Sequence, residues 1–94
     1  MAHIDIRRSH RLEHVKAREA AETVASRLNK EFNLKYQWNG DTLKFHRSGV
    51  DGTLSLLNSE VVVSARLGLL LRPLQGRFEH EIHKFLDELF DGNS

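Results

Sequence analysis

His46, Asp51 and Arg66 are the residues of this chain whose types and spacing come nearest to a reactive constellation. If the strands that carry them pair as their turns suggest, His46 falls opposite Asp51 and Asp51 opposite Arg66, with Lys35, Lys44, Thr53 and Ser64 alongside. A carboxylate between an imidazole and a guanidinium could orient the histidine as a base, or could hold a polar partner. No nucleophile is marked beside them, so no catalytic triad follows. The plainer reading is a solvated row of surface charges, because exposed ion pairs contribute little.

The histidines invite a metal reading. His80 and His83 are three apart on the second helical segment, with Glu79 and Glu81 nearby, and His10 and His14 are four apart at the start of the first. Two ligands one helical turn apart can share an ion, but a structural site normally needs four, and the HExxH spacing is absent. Solvated histidines on helix faces are therefore expected, with no metal. Lys35, Lys44 and Arg66, with Arg7 and Arg8 near them, could meet phosphates. Sheet-platform RNA binders, however, display aromatic rings on the open face, and here Tyr36, Trp38 and Phe45 point to the buried one. With a formal charge of only +1, that pattern argues against nucleic acid as a partner. Gly49 and Gly52 lie in a hairpin rather than between a strand and a helix, so no phosphate-cradling loop or other cofactor motif is present.

The elements that must position these residues follow from periodicity. Ile4 and Ile6 alternate with His3, Asp5 and Arg7 as in a strand with one buried face. From Leu12, the residues Val15, Ala17, Ala20, Ala21, Val24, Leu28 and Phe32 recur at helical spacing; Ser9 or His10 could start this helix and Asn33 could end it. Asn39-Gly40 predicts a type I′ hairpin that sets Tyr36 opposite Leu43 and Leu34 opposite Phe45. Ser48-Gly49 predicts a second turn, with Phe45 opposite Gly52, and Asn58-Ser59 a third, with Leu54 opposite Val63. All three keep the large apolar residues on one face. A second helix buries Leu74, Phe78, Ile82, Phe85, Leu86 and Leu89, with Gly92 as its stop.

The expected fold class is thus α+β, in the order β-α-β-β-β-β-α, an antiparallel sheet with two helices on one face. The first strand must join an edge, beside the second strand or the fifth. Ninety-four residues, 39% apolar and 29% charged, fit a single domain over residues 1–94. Without cysteine there is no disulfide or thiolate site. No apolar run reaches the length of a membrane span and no secretory signal is evident, so a cytoplasmic setting is expected. Leu69, Leu70 and Leu71 cannot all face one core from a regular strand. At least one is expected on the surface or against a partner, unless a twisted crossover buries all three beneath the second helix.

Four stretches carry a family resemblance: I-x-I-R-R-x-H from Ile4 to His10, Y-x-W-x-G-D-x-L-x-F from Tyr36 to Phe45, R-S-G-V-D-G from Arg47 to Gly52, and L-G-L-L-L-x-x-L-x-G followed by E-x-E-I. Together they resemble the polyhydroxyalkanoic acid system proteins, small bacterial proteins encoded near genes for storage-polyester granules. The resemblance implies a cytoplasmic accessory role in granule formation, regulation or surface binding, and the element order resembles a shortened helix-grip fold. No catalytic pattern is carried over. The leading expectation is a non-enzymatic binding module that meets a granule, an acyl ligand or a granule-associated protein through Leu69, Leu70, Leu71 and Leu74 with the adjoining helix. The alternatives are a small hydrolase or isomerase of hydroxyacyl substrates using His46 and Asp51, and a homodimer formed through the polar sheet face.

Overall fold

The computed structural model describes residues 2–90. Strand β1 (Ala2–Ser9) leads into helix α1 (His14–Phe32). Four strands follow, β2 (Lys35–Asn39), β3 (Thr42–Arg47), β4 (Val50–Leu56) and β5 (Glu60–Leu67), then a 3-10 segment (Leu69–Leu74) and helix α2 (Gln75–Leu89). The five strands form one antiparallel sheet in the order β1-β5-β4-β3-β2. The first strand therefore pairs with the fifth, Ile4 opposite Ala65 and Ile6 opposite Val63.

Two of the three expected registers hold. Phe45 faces Gly52 and His46 faces Asp51 across β3 and β4, while Leu54 faces Val63 and Asp51 faces Arg66 across β4 and β5. The β2–β3 hairpin is displaced by two residues: Tyr36 lies opposite Phe45 and Trp38 opposite Leu43. Its turn is Gly40-Asp41, not Asn39-Gly40, and Asn39 pairs with Thr42 as the last strand residue. A type I′ turn needs positive φ at both loop positions. Here Gly40 alone adopts one, at +66°, the pattern of a turn with glycine first. Because side-chain direction repeats every two residues, this shift leaves every residue on its expected face but moves Lys35 opposite His46.

Helix α1 starts at His14 rather than at Ser9 or His10. Strand pairing persists to Ser9, opposite Glu60, and the His10 N–H still donates to the Ser59 carbonyl at 2.9 Å, which holds the chain extended. The buried stripe of α1 is Ala17, Ala20, Ala21, Val24, Ala25, Leu28 and Phe32. Val15, two positions before Ala17 and so about 200° around the helix, is 64% exposed rather than buried. Asn33 ends the helix in the left-handed region at φ +61°, its N–H bonded to the Asn29 carbonyl.

Both helices cover the same sheet face. Small alanines let α1 approach closely, while α2 inserts Phe78, whose ring meets Phe32 edge-on at 5.0 Å and Phe45 at 6.3 Å. Ile82, Phe85 and Leu86 complete the buried side of α2, Phe90 is buried just past its end, Leu74 is half-buried and Leu89 packs against the rim. The anticipated stop at Gly92 lies outside the described residues. No helix among the described residues is long and apolar enough to cross a membrane.

Candidate functional site

The Leu69–Leu74 segment leaves the sheet where β5 ends. Gly68 donates its N–H to the Gly49 carbonyl at 2.8 Å, tying the segment to the β3–β4 turn, and the Leu71 side chain packs over Gly49 so closely that an added Cβ would lie 2.9 Å from it. A 3-10 turn points successive side chains about 120° apart, so three leucines in a row cannot share one side. Leu71 packs inward against the core, whereas Leu69 is 69% and Leu70 93% exposed. Leu74 is half-buried beside the start of α2. The four leucines are thus split between anchoring the segment and presenting an apolar tip.

On the opposite sheet face, one row crosses all five strands: Lys35, His46, Asp51, Arg66 and His3. Small residues Thr53 and Ser64 in the central strands, flanked by the longer Lys44, His46, Arg66 and His3, form a shallow groove of about 420 Å³. His46, Asp51 and Arg66 come together as neighbours, as their register requires. Among the described residues, however, no hydrogen bond or ion pair joins them, and the salt bridge at this end is His3 Nε2 to Asp5 Oδ2 at 2.8 Å. No hydrogen bond links His46 to Thr53 or Ser64, so nothing there activates a hydroxyl as a nucleophile. The row can attract a polar or anionic group, weakly, since its members are exposed to water.

The histidines of each pair take different surroundings. His10 is buried, at 7% exposure, in the β1–α1 connection rather than on a helix face. Its Nδ1 accepts the Leu12 N–H at 3.1 Å, which places the neutral ring's proton on Nε2. That nitrogen has no protein partner, and the ring lies 5.3 Å from Phe90. Burial lowers the pKa of His10. His14 instead reaches Asp41 at 3.1 Å, and His83 Nδ1 lies 3.2 Å from an Arg8 nitrogen. No three His, Asp or Glu side chains converge as metal ligands among the described residues.

Sequence reading missed a polar tie between α1 and β2. Glu22 accepts hydrogen bonds from Tyr36 Oη and Trp38 Nε1, both at 2.7 Å. The indole bond first, and then the phenol bond, lower the Glu22 pKa; the same carboxylate raises that of Tyr36. Arg18 stacks over Trp38 at 4.0 Å and donates to the Gly40 carbonyl at 2.9 Å. The available signal was the spacing of Arg18 and Glu22, one turn apart on the polar side of α1. Nothing local linked them to β2.

No significant match emerges among curated proteins or solved structures. A family model, described as "Putative polyhydroxyalkanoic acid system protein", matches residues 4–90, which takes in all but the first two residues of β1, the other four strands, both helices and the leucine segment. By that match over nearly its whole length, the chain belongs to the polyhydroxyalkanoic acid system protein family.

Proposed function

We propose that this protein is a non-enzymatic accessory module of the storage-polyester system that contacts the apolar granule surface through the tip formed by Leu69 and Leu70. The observation that carries the reading is the exposure of these two leucines, 69% and 93%, on a segment whose backbone is braced by Gly49 and Leu71. A fully exposed leucine on a rigid turn loses little conformational freedom on insertion, so most of its transfer free energy favours binding. Membership of the family supports a polyester as that surface, one with few charges for a polar face to recognise. The unlinked His46–Asp51–Arg66 row supports no hydrolytic mechanism of comparable weight. A cytoplasmic setting goes with this role.

Sedimentation with purified polyhydroxyalkanoate granules tests it. Wild type should co-sediment, and Leu70→Glu should weaken binding by about tenfold or more, the loss expected from removing one buried leucine. The folded state should be untouched, because Leu70 makes no core contact. Recovery of the wild type wholly in the supernatant, or binding indifferent to Leu70→Glu, would overturn the proposal.

A further inference from the structure

The two edges of the sheet are guarded very differently. β1 carries His3, Asp5, Arg7 and Arg8 along its length, the kind of charge that discourages strand addition. β2, with sequence KYQWN, carries Lys35 alone.

Hydrogen-bond parity shows which of its groups are free. In a two-residue hairpin the flanking residues, here Asn39 and Thr42, form a bonded pair, so Lys35, Gln37 and Asn39 turn their N–H and C=O groups toward β3. The same alternation accounts for the Leu56 N–H bonded to the Asp41 carbonyl at 3.0 Å on the other side of β3. Tyr36 and Trp38 therefore turn theirs outward. At either end of this edge a side chain closes the next outward carbonyl: Asn29 Nδ2 donates to Leu34 O at 2.7 Å, and Arg18 Nη1 to Gly40 O at 2.9 Å. The open stretch runs from Tyr36 to Trp38, two outward-facing residues about Gln37. Above it, α1 leaves a groove of about 520 Å³ lined by exposed Val15 and half-buried Trp38, among others.

We propose that a second copy of this chain occupies this edge, β2 pairing antiparallel with β2 about a two-fold axis through Gln37. The strand is self-complementary in that register. Tyr36 exchanges both backbone bonds with the partner's Trp38, and Trp38 with the partner's Tyr36, satisfying the outward groups of both residues. On the open face Lys35 meets the partner's Asn39 and Gln37 meets its own copy, so no like charges oppose one another. On the helix face Tyr36 and Trp38 stand beside their counterparts, and the groove holding Val15 is closed by the partner's α1. The occupant is a second copy rather than a foreign peptide because the free groups of Tyr36 and Trp38, and the blocked carbonyls of Leu34 and Gly40 beyond them, are evenly spaced about Gln37, so that the strand's own copy matches the open stretch end for end without opposing like charges. This edge pairing differs from a dimer formed face to face through the polar row, and it does not depend on the granule reading.

The chain has no cysteine, which permits a clean test. Gln37→Cys places its thiol opposite itself in a non-bonded pair, with Cα atoms about 4.5 Å apart, within the range a disulfide spans. Mild oxidation should convert this variant to a covalent dimer many-fold faster than Asn58→Cys, an exposed thiol on the β4–β5 turn. Light scattering of the wild type should give a two-subunit mass that falls on dilution. Gln37→Glu lies opposite Lys44 within its own chain and keeps the fold, but sets two carboxylates against each other across the dyad; dissociation should rise at least about threefold, less in high salt. A strictly monomeric wild type overturns the proposal. So does equal cross-linking of the two cysteine variants, or a dimer indifferent to Gln37→Glu, which would place the interface elsewhere.

Discussion

Gly52 lies on the core face of β4, directly opposite Phe45, and the Phe45 ring occupies the space a side chain would need. A Cβ at Gly52 would overlap that ring and come within 2.9 Å of the Ser64 carbonyl oxygen. The φ of this glycine is unremarkable; close approach, not backbone freedom, demands it. Phe45 in turn meets Phe78, so a displaced ring disturbs the sheet–helix contact as well. Gly52→Ala should therefore destabilise by about 1–3 kcal/mol, as overpacking does. Urea unfolding should show a lower midpoint at unchanged slope, and a midpoint equal to wild type would show that the ring moves aside freely. Leu70 and Leu71 make the opposite contrast: adjacent and identical in type, one projects into solvent and the other pins the segment to Gly49.

Among the elements, the α1–β2 tie has the clearest signature in solution. Trp38 is the only tryptophan, and its indole donates to Glu22 under the Arg18 guanidinium, so its emission reports the surroundings of this tie. The folded-state pKa of Glu22 is lowered, so the tie is fully present above 4.5, the ordinary value, and is lost as pH falls through the lower folded value. Acid titration of wild-type fluorescence should thus show a step below pH 4.5, and Glu22→Gln should abolish it. A step that persists in the variant would assign it to global unfolding. This tie also shows where sequence legibility ends. Strand order within the β2–β5 meander, the face of each strand and the last two registers were readable because every turn and every apolar alternation agreed. The β2–β3 register was not, because Asn39-Gly40 and Gly40-Asp41 are both acceptable hairpin turns and a two-residue shift leaves the apolar pattern intact. Likewise His10 looked like a helix residue until the pairing of Ser9 with Glu60 held the chain extended, and Val15 looked like part of the buried stripe although α1 turns it to solvent. Of the site, the row His46–Asp51–Arg66 was legible as neighbours. The exposure of Leu69 and Leu70 was only bracketed, because it depends on a 3-10 turn imposed by Gly68 and Pro73 rather than on periodicity.

At the scale of the whole molecule, the leucine tip and the free strand edge have a fixed relation. The tip leaves the sheet beside Gly49, at the end where β2 begins with Lys35; Asn39 and the Gly40-Asp41 turn lie at the other end. Antiparallel pairing about Gln37 sets Lys35 beside the partner's Asn39, so the two tips of a dimer project from opposite ends of a continuous ten-stranded sheet, with all four helices on one side. Two tips facing away from each other cannot grip one surface together, and dimerisation gains no avidity on a single granule. If the tips bind granules as proposed, a dimer can hold two at once. Wild type should therefore cluster purified granules in a concentration-dependent way, visible as rising turbidity. Gln37→Glu should bind granules with unchanged affinity yet cluster them less, and Leu70→Glu should do neither. Clustering by Gln37→Glu equal to wild type would break the link between edge and tip, while tighter binding by the cross-linked Gln37→Cys dimer than by its reduced form would mean that both tips reach one surface.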